Sequence, residues 1–178
     1  MLKVLFVLAA VAAQSGPAAT DLKSDDAVTA FGDLCVNLFT DKPSKSDPTR
    51  FSVTKLSENE VSEIKPDLKG QTMWDVSGTK SDVHMLVHYE PGMCVVEVAE
   101  ADETALRVEF ERLVQQTSTR LGSVPQRQSD TFNRIDGKDA TTSMWRMKSA
   151  KGDVMLAVTT YPDPKFMIQH LMTVSYVR

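Results

Sequence analysis

No stretch of this chain is apolar for long enough to cross a bilayer. The N-terminal run over residues 4–11 falls well short of the ~20 residues a spanning helix needs. Positive charge is not in excess either: 20 Lys and Arg stand against 24 Asp and Glu, a net charge of −4. Neither sign gathers into long blocks, so a nucleic-acid duplex or an anionic membrane is a poor electrostatic match. Only two cysteines occur, with no Cys-x-x-Cys, which argues against a redox dithiol. The first is Cys35, too far from the apolar run for a bacterial lipid anchor. Asn37, Asn59 and Asn133 all lack the Ser or Thr of a glycosylation sequon, so nothing points to a eukaryotic extracellular setting. Gly-x-Ser-x-Gly, His-Glu-x-x-His, a phosphate-cradling glycine loop and the dinucleotide fingerprint are all missing, and the sequence calls for no cofactor.

What the N-terminus does contain is Lys3 ahead of that apolar run, followed by the small residues Ala10, Ala12 and Ala13. This is the pattern of a secretory signal. We expect residues 1–19 to form the signal region and a flexible mature N-terminus, with cleavage near residues 12–13, and the product to be periplasmic or secreted. Loss of Lys3 takes the net charge from −4 to −5. The remainder, residues 20–178, is an ordinary globular composition with 42% apolar and 25% charged residues. One domain of that size buries about 68–70% of the surface of its unfolded chain.

Helical spacing of Val28, Phe31, Leu34, Cys35, Leu38 and Phe39 predicts a first helix capped by Ser24. Residues 40–50 read as a loop, and residues 51–56 as either a strand or a short helix. Ser57 and Glu60 form a capping box for a short helix over Glu58–Ile64. Residues 82–90 alternate as a half-buried strand. Pro91-Gly92 then turns the chain so that Tyr89 faces Cys94, Val87 faces Val96 and Met85 faces Val98. A long helix starts at Asp102, carries Leu106, Phe110, Leu113, Val114, Thr117 and Leu121 on one face, and stops at Gly122. Asp136-Gly137 predicts a hairpin pairing Phe132 with Thr141 and Arg134 with Asp139, which puts Trp145 and Met147 on the face of Phe132. Two more strands, over residues 154–161 and 167–177, close the chain across Pro162-Asp163-Pro164. The order predicts an α+β two-layer sandwich: an antiparallel sheet of roughly six or seven strands with the two main helices on one face.

Displaced by 71 positions, the chain matches itself. Met73, Trp74, Lys80, Asp82, Val83, Val87 and Pro91 recur as Met144, Trp145, Lys151, Asp153, Val154, Val158 and Pro162. Two pseudo-repeats of a helix-plus-hairpin unit would explain the match, and so would chance similarity between two ordinary hairpins.

Cys35 on the core stripe of the first helix and Cys94 on the core face of a strand are placed to form a disulfide stapling helix to sheet. His84 and His88 lie four residues apart on a strand, about 13 Å, which is too far to share a metal ion. No metal site is expected; the nine methionines are scattered as core fillers. With Asp82 and the cross-strand Glu97, the two histidines instead make a polar strand face. The layout, a helix Cys early in the mature chain followed by an apolar strand with the second Cys, resembles small exported proteobacterial proteins of unknown function. The resemblance covers architecture and Cys placement, implies the periplasm and the disulfide, and carries over no active site.

The leading expectation is a non-catalytic protein that binds another protein or an envelope component through an uncovered sheet face at Asp82, His84, His88 and Glu97. A second is a carrier of a small apolar ligand, with Trp74 and Trp145 lining a cavity between helices and sheet. A third is a hydrolase whose carboxylate or serine site has no local motif.

Overall fold

The structure is a computed structural model and describes residues 21–40, 47, 49–66, 71–79, 81–128, 130–135, 138–162 and 169–177. The expected signal region, most of the 40–50 loop, Lys80 of the repeat, the Asp136-Gly137 turn, Asp163-Pro164 and Met167 lie outside the described residues. No helix among the described residues is long and apolar enough to cross a membrane.

Helix α1 (Leu22–Phe31) continues through a π-helical turn (Gly32–Val36) into a last turn at Asn37–Phe39. Its cap is Asp21, not the expected Ser24. The Asp21 carboxylate accepts from Ser24 N at 3.1 Å and Ser24 Oγ at 2.6 Å. Ser24 is buried inside the first turn and also donates to Asp102 O at 3.2 Å. Sequence alone could not separate two good capping residues three apart. The short helix α2 (Glu58–Ile64) has the predicted capping box between Ser57 and Glu60. Helix α3 (Glu103–Leu121) is capped by Asp102, which accepts from Ala105 N at 2.7 Å, and ends at Gly122 with φ 65°, a left-handed conformation that glycine adopts without a Cβ clash.

Nine strands among the described residues form one antiparallel sheet: β1 (Phe51–Lys55), β2 (Thr72–Gly78), β3 (His84–Glu90), β4 (Met93–Val98), β5 (Gln126–Arg127), β6 (Thr131–Ile135), β7 (Lys138–Ser149), β8 (Gly152–Thr160) and β9 (His170–Tyr176). Their order is β1-β2-β3-β4-β9-β8-β7-β5, with β6 on the same edge of β7 as β5. The α+β class and antiparallel sheet are as expected, but the strand count exceeds the expected six or seven. Strand β2 was missed because Met73 breaks the alternation of Thr72, Trp74 and Val76: it is apolar and fully buried on the opposite face. The two-residue β5 is too short to leave a pattern. The predicted registers hold, with Tyr89 against Cys94, Val87 against Val96 and Phe132 against Thr141. The expected strand over 82–90 begins instead at His84; Asp82 precedes it with φ 53°.

The strand order is palindromic. Each half is a meander, and the two meet where β4 pairs with β9. Trp74 pairs with Val87 in one half and Trp145 with Leu156 in the other, whereas Val158, which the 71-residue match aligns with Val87, pairs with Ser143. The helices do not follow this symmetry. Asp102 N donates to the Asp21 cap at 3.2 Å, Phe31 stacks on Phe110 at 5.6 Å, and Arg120 Nη1 reaches Asn37 Oδ1 at 3.1 Å. Start meets start and end meets end, so α1 and α3 run parallel, side by side.

Both helices cover one face of the sheet, called the inner face here. The main core there joins Phe31, Cys35, Phe39, Phe110, Trp145 and Met172 with Val96 and Val98 of β4 and the valines of β8 and β9. A Cβ at Gly32 would sit 3.1 Å from Leu113 Cδ1, so glycine allows the close helix approach. On the outer face, Val61, Met73 and Val95 are buried apart from that core. Lys65, which follows α2, reaches Glu97 from this side at 3.3 Å. The outer face is therefore partly covered, which the expected picture of two helices on one face leaves out.

Beneath the start of α3, His170 is completely buried, with Nε2 3.0 Å from Ala101 O. A carbonyl can only accept, so Nε2 carries the proton. Burial pushes the His170 pKa below 6.5, against the opposing pull of the Ala101 hydrogen bond. A folded pKa below the unfolded value means the stabilising contribution is complete above about pH 6.5 and declines as pH falls through it. We expect the urea midpoint to fall between pH 7 and pH 5.5, and His170→Gln to flatten that slope. Equal slopes in the two proteins would remove His170 from the account.

Candidate functional site

Helix α1 has more apolar surface than its core stripe needs. Val28, Phe31, Cys35, Val36 and Phe39 are buried, whereas Leu34 is only half-buried and Leu38 is 57% exposed. These two leucines emerge from and beyond the π turn, the kind of bulge that often marks a functional position in a helix. The sheet opposite them extends past the helical layer. On β1 and β3, Val53 is 49% exposed and Tyr89 38% exposed.

Between these parts lies an apolar groove of about 390 Å³, lined by Leu34, Leu38, Val53, Trp74, Val87, Tyr89 and Cys94. The registers explain the lining. Trp74 faces Val87 across β2 and β3, Tyr89 faces Cys94 across β3 and β4, and Val53 faces Val76 across β1 and β2. All of these residues point to the inner face. The Cys35–Cys94 disulfide forms as expected, with a Cα separation of 5.5 Å, and ties the helix flank carrying Leu34 to the groove floor.

Trp74 is thus at the groove, but Trp145 is not. Trp145 is buried in the core at 5.5 Å from Phe110, with the Arg127 guanidinium 5.3 Å from its ring. The two tryptophans sit on β2 and β7, five strand positions apart in the sheet, or about 24 Å at the usual spacing. They do not line one cavity. Three larger concavities differ in chemistry. One, of about 710 Å³, is bordered by polar residues such as Ser123, Gln126, Lys148 and Asp153. Another, of about 570 Å³ between α1 and α3, is lined by Arg50 and Arg112, both ion-paired to Asp25. The third, of about 450 Å³, is lined by charged residues such as Asp21, Lys23, Glu100 and Glu103.

The four residues of the anticipated polar face divide into two environments. Asp82 and His84 are exposed, and His84 Nδ1 lies 3.4 Å from Ser77 Oγ. His88 and Glu97 are buried, with Nε2 to Oε1 at 3.3 Å and Lys65 Nζ at 3.3 Å from Oε2. Burial pushes the Glu97 carboxyl up, but the neighbouring His88 and the Lys65 ammonium outweigh it and hold the pKa below the usual carboxylate value. Such a buried cluster does structural work; it offers no surface to a macromolecule. No group of three or more His, Cys, Asp or Glu among the described residues is placed to hold a metal ion.

No family model, curated protein or solved structure matches the chain. The groove has to be interpreted from its own chemistry.

A sequence signal for it did exist. Leu34 and Leu38 widen the apolar arc of α1 beyond what one stripe can bury, and a surplus of that kind marks a second contact face. Val53 and Tyr89 left no such trace, because a single apolar residue on a short strand looks like any core residue.

Proposed function

We propose that this chain is an exported, non-catalytic binding protein whose site is the groove around Trp74. The observation that carries this reading is the convergence of Leu38, Val53 and Tyr89, all substantially exposed, on one apolar concavity. Isolated surface apolar residues are common, but several gathered in one depression mark a binding site. The volume falls within the range of small-molecule sites, ~300–1,000 Å³. The intact disulfide supports an oxidising compartment, the periplasm or beyond it, in keeping with the N-terminal apolar stretch.

Dodecan-1-ol is a suitable neutral probe. At 100 times its dissociation constant it adds about 2.7 kcal/mol to stability, a rise of several degrees in melting temperature. We expect that rise in the native protein and its loss in Leu38→Gln/Val53→Gln, two exposed positions, with circular dichroism verifying the fold of the variant. An unchanged shift in the double variant would place the alcohol elsewhere and end this assignment.

A second reading, a contact surface for another protein or envelope component, draws on Asp82. It is exposed and held at positive φ, a conformation that persists where surrounding structure or function enforces it. Charge reversal at Asp82 and His84 should abolish crosslinking to such a partner in the native envelope; unchanged crosslinking would dismiss it.

A further inference from the structure

The groove has one charged neighbour on its own face of the sheet. The inner-face residues of β1 to β3 are Phe51, Val53, Lys55, Thr72, Trp74, Val76, Gly78, Met85, Val87 and Tyr89, by register. Of these only Lys55 carries charge at neutral pH. It is exposed and stands directly across from Trp74.

Several other cations among the described residues are ion-paired. Lys23 holds Glu100, Arg50 holds Asp25 and Asp26, Lys65 holds Glu97, and Arg146 holds Asp153. Lys55 makes no ion pair among the described residues. The Tyr89 hydroxyl likewise has no hydrogen-bond partner among them, although its ring lines the groove. An apolar trough with an uncompensated ammonium and a phenol at its rim is complementary to a molecule with an apolar tail and an anionic head.

The size of the site favours a small ligand over a protein. Seven residues line the groove, whereas a stable protein interface engages roughly 20–30 residues a side. Lysine also suits the role physically. Its ammonium is a point charge on a flexible apolar stem, so the stem can lie along Trp74 while the head meets a carboxylate in solvent.

We infer that the groove binds a free single-chain carboxylate amphiphile, a fatty-acid anion, with the acyl chain against Leu34, Leu38, Val53 and Trp74 and the carboxylate paired to Lys55. The inference rests on the groove being the binding site and adds the charge of the ligand's head.

The test titrates the full chain with sodium dodecanoate, dodecan-1-ol and dodecyltrimethylammonium, each below its aggregation concentration. Trp74 fluorescence is the readout, and the buried Trp145 serves as a constant background. Dodecanoate should bind about fivefold more tightly than the alcohol, the scale of one solvent-exposed ion pair. Lys55→Met should bring the two to equal affinity, and Lys55→Glu should favour the cationic amphiphile. Lys55 is an exposed edge-strand residue, and circular dichroism of each variant verifies the fold. Equal binding of anion and alcohol by the native protein would overturn the anionic head while leaving the groove as an apolar site. Binding of none of the three probes would overturn both. Dodecanoate binding that survives Leu38→Gln/Val53→Gln would overturn the location.

Discussion

Replacing Cys35 and Cys94 together with alanine should cost about 4 kcal/mol of stability and lower the melting temperature by about 10 °C. The bridge spans a sequence separation of 59, and a loop of that length has considerable entropy to recover once the constraint is gone. Both sulfurs are buried in the main core, so two small cavities add to the loss. The effect should extend to the groove. Leu34 precedes Cys35 on the helix, Cys94 is part of the groove floor, and without the bridge that helix flank loses its covalent tie to β4. We therefore expect weaker amphiphile binding in the double variant even at temperatures where it is fully folded. Denaturant unfolding with and without a reductant measures the first effect. A loss under 1 kcal/mol would mean that the reduced unfolded chain is already compact.

Phe110→Ala should cost about 3–5 kcal/mol. Phe110 is completely buried, stacked on Phe31 from α1 at 5.6 Å and tilted against Trp145 from β7 at 5.5 Å. It is the point where both helices and the second half of the sheet meet, and no small shift can fill a void facing three elements at once. Phe31→Ala should be costly for the same reason. The double variant should lose less than the sum, by about 0.5–1.5 kcal/mol for the ring pair. Urea midpoints at constant m-value read all three. Strict additivity would show that the rings contribute only through their individual burial.

Acid should weaken the fold through Glu97 as well as His170. Its folded pKa lies below the ordinary 4.5, so its stabilising contribution is complete above that value and disappears as pH falls through the folded pKa. The two groups act in successive windows, His170 below about pH 6.5 and Glu97 below about pH 4.5.

Much of this architecture is encoded locally. The capping box of α2, the Asp102 cap and glycine stop of α3 and the Pro91-Gly92 hairpin depend on residues a few positions apart, and the pairing of Cys35 with Cys94 on each lying on a core-facing stripe by parity along its helix or strand. Local chemistry suffices for them because hydrogen-bonding caps and a side-chain period of two leave few alternatives. The sheet order was only partly legible: the 71-residue match falls on β2 and β7 but does not give their registers, and the meeting of β4 and β9 joins residues 72 to 82 positions apart.

Tertiary structure alone decided three things. The helices run parallel because the Asp21 carboxylate ties the start of α1 to the start of α3, an interaction between residues that no periodicity links. His88 and Glu97 are buried because the chain around Lys65 passes over the outer face, although their alternation marked them as solvent-facing. The groove exists because the sheet reaches beyond the helical layer at β1 and β2, exposing Val53 and leaving Trp74 half-buried beside Leu38. Sequence determines which face a side chain takes; whether another element covers that face depends on where distant segments are placed, and that is settled only by the packing of the whole chain.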